Sequence, residues 1–184
     1  MPKLLVLFHS RSSAVLALAE AAAEGARSVR FAEVDLRRLE ASDPDPLAPA
    51  PDPAGRSHRT LEHADDLATY DGLIFAMSGE GDGAAPLTAA LGAAGGSMAN
   101  RVGSVLTAAT GEGRGAMLWA ALTPMADRGM ILVPAPFTEG GAASAESARR
   151  TGKRVAEVIA WVTHARSHHH HEPHHHDHHS PHHH

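Results

Sequence analysis

Apolar positions along the chain fall into short unbroken runs separated by longer, mixed stretches. Leu4–Phe8 (LLVLF), Leu73–Met77 (LIFAM), Val102–Ala108 and Met130–Val133 are such runs. Each has the length of a strand buried on both faces. Val29–Val34 alternates apolar residues with Arg30 and Ala32 and reads as a half-buried strand. Between them lie patterns with helical composition. Ala14–Glu24 is rich in Ala and Leu and has Gly25 as its expected stop. Leu61–Ala68 predicts a short helix, and Pro86–Leu91 a helix with Pro86 in its first turn. Ala116–Arg128 predicts a helix kinked or broken near Pro124, and Ser144–His164 a long terminal helix. Ser42–Ser57 (SDPDPLAPAPDPAGRS) carries five prolines and is expected to be an irregular surface loop.

Strand and helix alternate strictly, which implies a parallel sheet with helices on both faces. Five strands suit the doubly wound order 2-1-3-4-5, whose ligand crevice lies beyond the carboxyl ends of the first and third strands. Three loops reach that crevice: Ser10–Ala14, Ser78–Gly83 and Thr107–Gly115.

The first of these joins a buried strand to a helix. Free amides and a partial positive charge at a helix start favour an anion. Ser10, Ser12 and Ser13 add hydroxyl donors and Arg11 a charge, while Ser12 or Ser13 could equally serve only as the helix cap. The glycines of the second loop would let backbone amides approach a planar ligand, and would also suit a plain turn. In the third loop Thr107, Thr110 and Gly111 offer hydrogen bonds, or a capped turn before the next helix. Trp119 could wall a ligand or pack in the core, and Trp161 is expected in the core. His9, one residue before the first loop, reads as a packed residue, and no general acid or base is assigned.

In their order and spacing these segments resemble the flavodoxin superfamily, and within it the FMN-dependent NAD(P)H:quinone oxidoreductases of the tryptophan-repressor-binding-like (WrbA-type) group. HSRSSAVLALAEAAAEGA resembles that group's first loop and helix, YDGLIFAMSGEGDGAAPLTAAL its third strand, RVGSVLTAATGEGRG its fourth, and ADRGMILVPAPF its fifth. The resemblance covers about residues 3 to 163. It implies a flavodoxin-like three-layer α/β sandwich that passes electrons from NAD(P)H to a quinone or similar acceptor through bound FMN. It implies FMN contacts at Ser10, Arg11, Ser12, Ser13, Ala14, Val15, Ser78, Gly79, Glu80, Gly81, Thr107, Ala108, Thr110 and Gly111. Related proteins complete their flavin sites from neighbouring subunits, so a homo-oligomer is implied as well. Two departures stand out. Ser13, Ala14 and Val15 occupy positions where the group commonly has Gly, Asn and Thr. Glu80 and Asp82 stand in a loop where it has a basic and an aromatic residue.

Composition narrows the remaining classes. No cysteine is present, which excludes a disulfide framework and a thiolate metal site. The net formal charge is −5, with Glu172 and Asp177 of the tail supplying two of the negative charges. Aromatic residues make up 4% of the chain, so neither a basic nucleic-acid face nor a stacking platform is expected. The N-terminal apolar run is too short for a signal peptide, and no run approaches a membrane span, so a cytoplasmic location is expected. The body should form one domain over residues 1–166. Residues 167–184 form a tail holding 12 of the 16 histidines. His168, His169, His170, His171, His174, His175, His176, His178, His179, His182, His183 and His184 could bind Ni, Zn or Cu nonspecifically. Such a tract can be a purification tag, although its interruptions by Glu-Pro, Asp and Ser-Pro favour natural sequence. The alternative function is a flavodoxin-like protein with a degenerate FMN site that handles metal through this tail.

Overall fold

The structure is a computed structural model that describes residues 1–9, 12–39, 58–79, 83–135 and 144–168. The Pro-rich segment expected to be a surface loop lies outside these residues. The elements are β1 (Lys3–His9), α1 (Ser13–Arg27), β2 (Glu33–Arg38), β3 (Arg59–Thr60), a 3₁₀ helix (Ala64–Thr69), β4 (Gly72–Met77), α2 (Ala85–Ala93), β5 (Val102–Thr107), α3 (Arg114–Asp127), β6 (Ile131–Leu132) and α4 (Ala145–His168). All strand pairs are parallel, and the sheet order is β3-β2-β1-β4-β5-β6. With the two-residue edge strand β3 set aside, the order is the expected 2-1-3-4-5. The additional strand β3 escaped the pattern because its two residues, Arg59 and Thr60, are polar and form no apolar run.

Two cores sandwich the sheet. On one face Leu4, Val6 and Phe8 of β1 meet Ile74, Val102 and Leu106, covered by the alanines of α1 and by Ala148, Val155, Ala156 and Ile159 of α4. On the other, Leu5, Leu7, Leu73, Phe75, Met77 and Val105 meet Leu87, Leu91, Leu118, Leu122, Met125 and Met130. Alternation along each strand sends successive side chains to opposite layers, which is why the strands read as unbroken apolar runs.

Several boundaries differ from the sequence reading for physical reasons. Gly25 does not stop α1, which continues to Arg27. A Cβ on Gly25 would lie 2.8 Å from Cα of Arg149 and closer still to that residue's carbonyl oxygen. A Cβ on Gly152 would lie 2.9 Å from Cα of Ala22. The two glycines thus let α1 and α4 touch backbone to backbone. Val29–Ala32 is a turn rather than a strand, with Phe31 at φ 68°, and the second strand begins at Glu33. The expected helix at Leu61–Ala68 is the 3₁₀ helix, which starts only at Ala64. Helix α3 runs through Pro124 to Asp127, while Thr123 Oγ1 donates to the carbonyl of Trp119 at 2.8 Å. Trp161 is not in the core. It is 58% exposed on the outer side of α4, with the Arg154 guanidinium 5.0 Å from its ring centroid.

Away from the crevice, β2 carries a polar cluster on the face that meets the 3₁₀ helix. Tyr70 donates its hydroxyl to Asp35 Oδ2 at 2.5 Å, and Arg37 lies 3.4 Å from Asp35 and 3.8 Å from Asp66. Burial first, then the hydrogen bond to Asp35 and that carboxylate's charge, push the Tyr70 hydroxyl up from 10.0 to about 12.

Candidate functional site

The strand order reverses at β1 and β4, with β5 as the next strand, and a doubly wound sheet takes ligands beyond the carboxyl ends of the strands at that point. Each of these strands ends at the same level, because His9 is in register with Met77 and Met77 with Thr107. His9 is half-buried, and its Nδ1 lies 2.9 Å from the carbonyl oxygen of Leu39. That contact fastens the end of β1 to the end of β2, so His9 is a packed residue.

Ser10 and Arg11 lie outside the described residues. Ser12 is the N-cap of α1, with φ −84° and ψ 129°, and its Oγ accepts from the Ala14 amide at 3.3 Å. The cap is real, yet this bond is long, and it engages one amide of a first turn that lacks intrahelical acceptors. Ser12, Ser13 and Ala14 are exposed. Val15 is fully buried in the α1–α4 core, so only its backbone can reach a ligand. Among the described candidates in this loop, the ones presented to solvent are therefore Ser12, Ser13 and Ala14.

The loops after β4 and β5 are stitched together at their bases. The Ala108 amide donates to Met77 O at 3.2 Å. A Cβ on Gly79 would sit 2.5 Å from Cβ of Ala109 and 2.7 Å from its Cα. Gly79 is thus required by the neighbouring loop, not merely permitted in a turn. Ser78 is half-buried, whereas Glu80 and Gly81 fall outside the described residues. Thr107 is fully buried and its Oγ accepts from the Ala109 amide at 3.1 Å, so it shapes the third loop from inside. Thr110 and Gly111 are exposed at the loop crest, and Gly111 has φ 81°, a conformation suited to glycine. Trp119 is 59% exposed on α3 and takes no part in the core.

One residue here was missed by the sequence reading. Arg114 opens α3 and is only 8% exposed. It lies one turn before Leu118, in line with Leu122 and Met125, and so on the sheet-facing stripe of the helix. The signal was available: the apolar period of α3, extended one turn back from Leu118, lands on Arg114.

The comparisons with known proteins bear on this geometry. The chain matches no family model. An NAD(P)H dehydrogenase (quinone) of Acidithiobacillus ferrooxidans is 35% identical over 147 residues, covering 75% of this chain and 73% of that protein. The chain belongs to the NAD(P)H dehydrogenase (quinone) family. A flavodoxin from the domain Archaea superposes with a TM-score of 0.58 at 16% identity, over 86% of this chain and 99% of that one. Oxidised flavodoxin 2 from Bacillus cereus gives a TM-score of 0.59 at 19% identity, over 86% and 98%. This family member therefore has the flavodoxin-like fold, whose topology places a ligand site at the reversal of strand order. Among the described residues no group of three or more His, Asp or Glu is placed to hold a metal ion. The histidines from His169 onward, and the His168 side chain, lie outside them. Among the described residues no helix is long and apolar enough to cross a membrane.

Proposed function

We propose that this chain binds FMN at the carboxyl edge of β1, β4 and β5 and passes electrons from NAD(P)H to a quinone or a similar small acceptor, in the cytoplasm. The observation that carries the reading is that β1, β4 and β5 end at one level, so that the loops after them start from one sheet edge. The start of α1 offers backbone amides and serine hydroxyls on one side, and the Gly79–Ala109 contact closes the other two loops together. The family's name supplies the donor and acceptor classes.

The residues present fit FMN. Its phosphate needs N–H and O–H donors near a partial positive charge, and the first turn of α1 with Ser12 and Ser13 provides them. Its ring needs backbone that can approach closely, which the tight Gly79 turn and the exposed Thr110–Gly111 crest provide. Bound there, FMN would supply the hydride chemistry. The chain's own part is to bind, to orient and to keep the two substrates in line, which calls for proximity and no protein nucleophile. Ser12 would turn its hydroxyl from the Ala14 amide toward the phosphate, and Ala14 would give its amide to the same ligand.

The test is a titration of the colourless chain with FMN, read by visible absorption and quenching of flavin fluorescence, followed by NADPH oxidation with a benzoquinone. Ser12→Asp should abolish binding, because a fixed negative charge would stand in the phosphate's place. Ala14→Asn, at an exposed position, should tighten it by up to about tenfold through one added hydrogen bond. A parent chain that leaves FMN fluorescence unchanged would sink the proposal. The tail is a separate matter. Its histidines should bind Ni²⁺ or Zn²⁺ as neutral imidazoles and release them as pH falls through about 6.5. A chain ending at Ser167 should lose that stoichiometry.

A further inference from the structure

We propose that Arg114 stabilises the negative charge a flavin ring acquires on reduction, and thereby raises the reduction potential of the bound cofactor. The inference rests on the FMN reading above and goes beyond it, to a residue that sets the driving force of the reaction.

Two costs weigh against a cation at this position. A guanidinium at the first position of a helix meets the partial positive charge of the helix start, which disfavours it. A guanidinium that is 8% exposed has also lost most of its water, which disfavours it further. The helical pattern asks for an apolar residue at this point of the inward stripe, and Leu118 and Leu122 obey it below. A cation kept against all three tendencies needs negative partners nearby. Arg114 is engaged within the chain as it stands. Its five N–H donors still leave room for a ligand to share it.

Its place fits that role. Arg114 follows directly on the Thr110–Gly113 crest, and its amide donates to Gly111 O at 3.3 Å. As the first residue of the helix that follows β5, it starts on the side of the sheet where β4 and β5 end. The sequence also puts Glu80, Asp82 and Glu112 in the loops at this edge. Glu112 is exposed, and the other two lie outside the described residues. Unopposed, such carboxylates would repel a reduced ring. A cation at the start of α3 offsets part of that repulsion, and it acts more strongly for being out of water.

A hydride carries two electrons and one proton from the dihydronicotinamide to the ring. The nicotinamide leaves as its oxidised cation, and the ring gains one negative charge. Stabilising that charge favours the reduced form and leaves the neutral oxidised form nearly untouched.

The experiment uses the full chain loaded with FMN and compares the parent with Arg114→Gln, reading oxidised-FMN affinity by fluorescence quenching and the two-electron midpoint potential by equilibration with a reference dye. Removal of the charge should weaken binding of the reduced form at least tenfold relative to the oxidised form, which is a fall of about 30 mV. Arg114→Met keeps the stem volume and carries the same expectation if the glutamine variant does not fold. An FMN-loaded variant with the parent's potential would overturn the role of Arg114 and leave the FMN reading standing. A parent chain that binds no FMN would overturn both.

Discussion

The two faces of the sheet are packed in opposite ways. On the α1–α4 face the helices meet through alanines, and at Gly25 and Gly152 through bare backbone. On the α2–α3 face the space is filled by long, pliant chains, including Met77, Met98, Met125 and Met130. Backbone contact fixes a distance that no rotamer change can relax, whereas methionine fills irregular space and adjusts to its neighbours. The rigid face carries the helix whose first turn is the proposed phosphate cradle. The adaptable face carries the helix that opens on Arg114, and the loops that would have to admit a ring and two successive substrates. On the proposed reading, fixity would lie where an anion is met by amides in set positions, and tolerance where the ligand changes during turnover.

The sharpest way to break this comparison is to add one methyl group to the rigid face. Gly152→Ala should destabilise the fold by about 3 kcal/mol or more in urea unfolding, since its Cβ would meet the backbone of Ala22. On the other face, Met125→Leu should cost less than about 1.5 kcal/mol despite full burial. Equal costs would erase the distinction. Next in size is Gly79→Ala, which must push Ala109 away. It should lower FMN affinity by about tenfold or more while thermal unfolding shifts little, because the strain falls on two loops and not on the core.

A smaller effect is expected at the polar cluster on β2. Tyr70→Phe should cost about 1 kcal/mol at neutral pH through loss of the hydrogen bond to Asp35. The pH dependence has a definite sign. The folded chain holds the Tyr70 proton up to about 12, against 10.0 for the free side chain, so folding favours the protonated hydroxyl. The contribution is complete below pH 10 and is lost as pH rises through about 12, and the phenylalanine variant should lack that alkaline decline. Smallest of all should be Trp161→Ala, near 0.5 kcal/mol, because that ring is exposed and its contact with Arg154 is a surface one.

What the sequence disclosed and what it hid follow from how local each signal is. Unbroken apolar runs such as LLVLF and LIFAM reveal strands covered on both sides, and the alternation of elements then leaves little freedom in topology. Gly25 was misread because its reason lies in α4, 124 positions further along at Arg149. Locally it is only a helix-weakening glycine. Trp161 was misread from its hydrophobicity alone, although the wheel through Val155, Ala156 and Ile159 already turns it away from the core. At the site, the three loops were visible from their order. Which of their atoms face a ligand was not, because burying Val15 and Thr107 is decided by the packing of whole helices. Arg114 escaped because the helix was begun two residues too late.

The bond between Arg149 Nε and Glu24 Oε2, 2.8 Å long, spans 125 positions of sequence. It marks a seam that cannot close during synthesis until Arg149, 125 positions beyond Glu24, has left the ribosome. Until then the alanine stripe of α1 has no cover, and a parallel sheet whose every pairing needs a crossover is slow to assemble. Among the described contacts, the most unforgiving one is therefore also among the last to become available. A growing chain would depend on chaperones over that interval, and a truncation before α4 should yield insoluble material instead of a smaller domain.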